Sequence, residues 1–287
     1  MSIRGRPHDR CRRPARPKPS LPTTGNHDYR NSGQHRQELG RRDRVGRAGV
    51  PGSAELGGNS LREFHRTVHS TDAPFPCTFG VSAAKRGMLR FGFVDDLADE
   101  RTWAPLVGIL AEYLSEYREI GRETSLVVFF RPESAERSLA NYRERFWALL
   151  QYLHEHDPKP WPGEIPTDSD DPMWEFSFAG TPIFVVCNTP AHTERRSRHS
   201  GGFLVTFQPR WVFEELAVGT AKGDAARRVI RERLRRYDGM EPAGSLGAYG
   251  DPENREWLQY FLPDSDAPVG CPFRAAAQRR NDLAGDR

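Results

Sequence analysis

Between residues 99 and 154 the chain reads as a long amphipathic helix, a wholly apolar strand and a second long helix, and that succession commits it to a mixed α/β fold. Trp103, Leu106, Leu110, Tyr113, Leu114 and Tyr117 share one face of a helix predicted over 99–120. Gly121 stands where a C-terminal cap belongs. Residues 124–130, Thr-Ser-Leu-Val-Val-Phe-Phe, have the length and β-branching of a buried strand. Leu139, Tyr142, Phe146, Leu149, Leu150 and Leu153 then stripe a helix predicted over 133–154.

The flanking segments extend the pattern. Leu61, Phe64 and Val68 predict a short helix over 61–69, and Leu89, Phe91 and Phe93 alternate as in a strand. Two prolines in 73–80 call for extended or turn geometry there. Residues 174–178 and 182–186 flank Ala-Gly-Thr as a hairpin would, and 203–207 reads as a further strand. Helices are predicted over 209–216 and 221–236, the second strongly basic with Ala225, Val229 and Leu234 turned inward, and a terminal helix over 254–262. The expected architecture is α+β, a single domain over 61–275 with a mixed sheet of about five strands flanked by helices, followed by a flexible tail over 276–287.

Charge is unevenly spread. The chain has 287 residues and a net charge of +3, but residues 1–60 hold 13 Lys and Arg against 5 Asp and Glu, and the remainder is mildly acidic. That first segment is rich in Arg, Pro, Gly and Ser and poor in aromatics, so it cannot bury enough apolar surface to fold and is expected to be disordered. A solvated tail, or residues added by an upstream start, is the plain reading. Its arginines lack the interleaved aromatics or recognition helix of a nucleic-acid binder. Apolar runs are far shorter than the ~20 residues of a membrane span. Four scattered Cys without a CxxC give no disulfide framework, so a reducing cytoplasm is expected.

Nucleotide-binding glycine loops, HExxH and zinc spacings and the GxSxG elbow are all missing. Three polar constellations remain. His192 is followed by Arg195, Arg196, Arg198 and His199; an imidazole to hold iron beside guanidiniums to hold propionates is a sensible haem-site composition, against the plainer reading of a basic surface loop. Phe75-Pro-Cys77-Thr-Phe-Gly80 could present a thiolate to haem iron, against an inert packed Cys. Glu175, between Trp174 and Phe176, joins Tyr249, Asp251, Asn254, Glu256, Trp257 and Tyr260, where carboxylates among rings suit a cationic substrate, or where Trp257 and Tyr260 anchor the core and the acids are solvated.

In order along the chain, several blocks resemble the YqcI/YcgG family. They are Phe75-Pro-Cys-Thr-Phe-Gly80, the strand 88–93, Phe146-Trp-Ala-Leu-Leu150, Trp174-Glu-Phe176 and the loop from Ala191-His192 to Ser197-Arg198. Phe207-Gln-Pro-Arg-Trp-Val-Phe213, Leu246-Gly-Ala-Tyr-Gly-Asp251, Glu256-Trp257, Gln259-Tyr-Phe-Leu-Pro263 and Cys271-Pro-Phe273 complete the series. The resemblance implies a haem-dependent monooxygenase that N-hydroxylates a guanidine group of arginine or an arginine-like substrate. It implies haem b (iron protoporphyrin IX), O₂ and an external electron donor, since no reductase module is visible. On that reading His192 is the first choice of axial ligand and Cys77 the second, Arg195, Arg196 and Arg198 hold the propionates, and Glu175 and Asp251 bind the guanidinium with Trp257 beside it. A haem-binding or haem-sensing protein without turnover, and a non-haem interaction domain, are the alternatives.

Overall fold

A computed structural model describes residues 53–135, 137–216, 219–265 and 269–275. The basic segment 1–52 and the tail 276–287, with the disorder and flexibility expected of them, lie outside the described residues.

Five strands make one mixed sheet: β1 (Leu89–Val94), β2 (Ser125–Phe130), β3 (Ser177–Phe178), β4 (Thr181–Asn188) and β5 (Leu204–Pro209), in the order β1-β2-β5-β4-β3. β1 and β2 are parallel and the other neighbours antiparallel. A parallel pair needs a crossover, and the helix α3 (Ala104–Ile120) supplies it. β3 and β4 meet in a two-residue turn in which both Ala179 (φ 50°) and Gly180 (φ 73°) are left-handed, the twist a tight hairpin favours. The Asp157 carboxylate accepts from the Ala179 N–H at 3.0 Å and braces that turn.

One face of the sheet carries the main core. Leu126, Val128 and Phe130 of β2, Val205 and Phe207 of β5, and Ile183, Val185 and Cys187 of β4 point into it. The apolar stripe of α3 and that of α4 (Leu139–Glu155) pack against them, as the 3.6-residue periodicity predicted. Gly92 of β1 allows this close approach, because a Cβ there would stand 2.9 Å from Ile109 Cγ2 and 3.3 Å from Val128 Cγ2.

The opposite face is covered differently. Leu89, Phe91, Val127, Phe129, Leu204 and Ala83 form a small separate cluster, joined by Leu61 and Phe64 from α1 (Ser53–His69). The helices α2 (Thr78–Lys85) and α5 (Ala221–Asp238) complete this side without filling it.

Several boundaries differ from expectation. α1 begins at Ser53 rather than 61, and α4 begins at Leu139 because the Ser138 hydroxyl caps it by accepting from the Asn141 N–H at 3.2 Å. The segment after the second proline is helical, with Cys77 as the N-cap of α2. Residues 210–216 and 256–259 wind as 3₁₀ turns, not α-helices. On α5 the inward phase is also corrected. Ala225 is exposed and Val229 is 47% exposed, whereas Gly223, Ala226, Ile230, Leu234 and Tyr237 face the sheet side. No described helix is long and apolar enough to cross a membrane.

Candidate functional site

Because α1, α2 and α5 stand off the second face of the sheet, a cavity of about 1030 Å³ opens there. That is at the upper end of the range for small-molecule and cofactor sites. Its walls differ in character from end to end. Phe64, Val68, Phe75, Phe79, Val127 and Phe129 give it an apolar part. Ser125, Thr206, Gln208, Arg210, Tyr249 and Glu256 give it a polar one. The polar strip follows from strand geometry: Thr206 and Gln208 alternate with Val205 and Phe207, so one edge of the period serves the core and the other the cavity.

Cys77 lies in the cavity wall at the start of α2, and its Sγ accepts from the Gly80 N–H at 3.4 Å. Burial pushes the thiol above its ordinary range, while the N–H groups of Gly80 and Phe79 and the charge of Arg198 pull it back. Those opposing contributions are of the kind that favour the thiolate over the thiol.

His192 is 1% exposed and fully engaged. Its Nδ1 pairs with the Thr189 hydroxyl at 2.9 Å and its Nε2 with the Leu262 carbonyl at 3.0 Å. Burial lowers its pKa to about 4, so the ring is neutral and serves as a tie between its loop and the segment 260–263. The following residues turn a different face to the cavity. Arg198 is 8% exposed; its Nη2 donates to the Gln259 carbonyl at 3.0 Å, and its Nη1 has no hydrogen-bond partner among the described residues. A buried donor left in that state costs roughly 1–3 kcal/mol. Arg196 sits at the rim, its guanidinium 5.1 Å from the Tyr237 ring centroid.

At the polar end two carboxylates share one guanidinium. Arg210 Nε donates to Glu175 at 2.7 Å, and Arg210 Nη2 pairs with Glu256. Arg210 also lies flat on Tyr249, 3.5 Å from the ring centroid. Burial pushes both carboxyls upward, against the downward pull of Arg210.

The model of the YqcI/YcgG family matches residues 64–274, which include every wall of this cavity apart from the start of α1. The chain belongs to the YqcI/YcgG family. It is 46% identical to the Bacillus subtilis protein YcgG over 203 residues, covering 69% of this chain and 80% of that one. It is 40% identical to Bacillus subtilis YqcI over 219 residues, 75% of this chain and 86% of that one. It is 33% identical, over 77% of its length and 88% of the relative's, to the Streptomyces lavendulae protein named "Putative N(omega)-hydroxy-L-arginine synthase DcsA". No solved structure matches the chain.

Within this YqcI/YcgG domain the expected site residues separate into those that reach the cavity and those that do not. Cys77, His192, Arg196 and Arg198 line it. Arg195 does not: its Nε donates to the Pro263 carbonyl at 2.8 Å and its backbone N–H to Asp264 at 3.0 Å, so it fastens the loop. Glu175 is 0% exposed and stands behind Arg210. Asp251 is occupied in its own turn, accepting from the Glu253 N–H at 3.1 Å. Trp257 is a core residue whose indole N–H donates to the Ser169 carbonyl at 2.9 Å. Of the third constellation, Glu256 and Tyr249 are the members that open to the cavity. Gln208 and Arg210 were not singled out beforehand, although the polar alternation through 206, 208 and 210 carried the signal.

Proposed function

We propose that this protein is a haem-dependent monooxygenase that N-hydroxylates the guanidine group of arginine or an arginine-like substrate, with electrons from an external reductase. The observation that carries the reading is the cavity itself: one thiol donor on a helix cap, a buried guanidinium with one unpaired nitrogen and the Glu256 carboxyl all line a single space of about 1030 Å³. The kinship with the named hydroxyarginine synthase supplies the substrate class.

The donor set suits a porphyrin. Among the described residues no group of three or more His, Cys, Asp and Glu could hold a bare metal ion, whereas a haem iron needs only one axial side chain from the protein. Cys77 would be that ligand in preference to His192, whose two nitrogens are already committed. Arg198 and Arg196 would hold the propionates, the first through its free Nη1. When bound, the haem supplies the oxygen chemistry, by which a guanidine N–H, O₂, two electrons and two protons become N–OH and water.

The chain does the rest. Gly80 holds the sulfur in place by its N–H. The apolar rings of α1 and α2 exclude water from the reacting space. The polar end orients the substrate cation by charge. The test is to supply haem and a reductase and to follow arginine by mass spectrometry. Gain of one oxygen at the guanidine, lost in Cys77→Ala, is the expected result. A protein that stays colourless with ample haem contradicts it.

A further inference from the structure

The polar end of the cavity is already built to hold a guanidinium, and it holds one from the chain itself. Arg210 is gripped edge-on by Glu175 and Glu256 and covered on its flat side by Tyr249. Burial pushes both carboxyls upward, so the pair shares a proton and one carboxylate charge answers Arg210. Glu175 is sealed behind Arg210, whereas Glu256 lines the cavity. The wall beside it is incomplete. Glu256 opens the 3₁₀ turn that ends at Gln259, and the Gln259 carbonyl is where Arg198 rests, its other nitrogen unpaired. One short stretch of wall thus sets the Glu256 carboxylate and a guanidinium with one unpaired nitrogen beside the same space, where a ligand can complete the hydrogen bonding.

We infer that Glu256 is the residue that receives the substrate's guanidinium, extending the Glu175–Arg210 pair by one further planar cation. The assignment rests on the guanidine-hydroxylase reading above. It moves the role from Glu175, Asp251 and Trp257 to a side chain that the cavity reaches. A urea in place of the guanidinium would bring no charge to Glu256 and would turn an acceptor oxygen toward a carboxylate. L-Citrulline should therefore be rejected while L-arginine and agmatine bind.

Isothermal titration of the full chain with L-arginine, agmatine and L-citrulline tests this, with haem content read from absorbance in the same samples. Wild type is expected to bind both guanidines at least ~10-fold more tightly than L-citrulline, and Glu256→Gln to lose at least ~10-fold of that affinity. Glu256→Gln leaves Arg210 paired with Glu175, so its melting temperature should stay level or rise; a merely structural Glu256 would lower it. Glu256→Asp, which keeps the charge, should retain part of the affinity. Binding of L-arginine to Glu256→Gln within about twofold of wild type, or of L-citrulline to wild type as tightly as L-arginine, overturns the assignment. A colourless protein that still binds arginine through Glu256 would remove the haem reading and leave this one standing. A haem-loaded protein indifferent to Glu256 would do the reverse.

Discussion

His192 shows how a residue chosen for chemistry can be held by structure. Its ring is neutral because burial disfavours the imidazolium, lowering its pKa from 6.5 to about 4. The unfolded chain takes up that proton near 6.5 and the folded one resists until about 4. The stability tied to His192 is therefore present above pH 6.5 and lost as the pH falls through about 4. His192→Asn should flatten the fall in urea midpoint between neutral pH and pH 4.5, and an unchanged slope would show that the ring titrates normally. At Gly92 the constraint is space. The Cβ of Gly92→Ala would press on Ile109 and Val128, so a loss of ~1–3 kcal/mol is expected in urea unfolding. A neutral substitution would mean that α3 lies farther from β1.

At the scale of elements, α5 makes the sharpest test. Its basic surface is largely answered from within the chain: Arg227 pairs with Asp224, Arg235 with Glu232 and Glu241, and Arg236 with Glu232. What α5 offers the cavity is the line of Ala226, Ile230 and Leu234. Val229→Lys should change stability by less than ~0.5 kcal/mol, and Ile230→Lys should cost ~1–3 kcal/mol by turning a charge into an apolar wall. Equal effects at the two positions would return the helix to the phase first read from its sequence. That phase was hard to read because the six arginines of 221–236 equal its six apolar residues in number, so a weak stripe through 225 and 229 competed with the true one through 226 and 230, and Leu234 suits either. α3, α4 and β2 posed no such problem, since Tyr113, Phe146 and Val128 belong to runs whose period admits one orientation. The 3₁₀ segments at 210–216 and 256–259 were read as α-helices because their apolar spacing mimics a helical face over one or two turns.

In the whole molecule, the sheet divides two faces: one is packed by α3 and α4, and the other opens onto the cavity. The first face was legible in the sequence because burial there demands apolar residues at fixed spacing. The second was only partly so. Cys77, Arg196 and Arg198 could be picked out as reactive or charged residues in loops, but convergence on one space depends on pairing β2 with β5 across some eighty residues of chain. Asp251 and Trp257 illustrate the cost, lying within five residues of Glu256 yet turned elsewhere. The central claim is that this open face holds haem through the Cys77 sulfur. The carbon monoxide complex of the reduced, haem-loaded protein measures it most directly. A strongly red-shifted Soret band of the thiolate type, abolished in Cys77→Ala and retained in His192→Asn, is the predicted result. A globin-like band that survives Cys77→Ala, or no band at all, would contradict it.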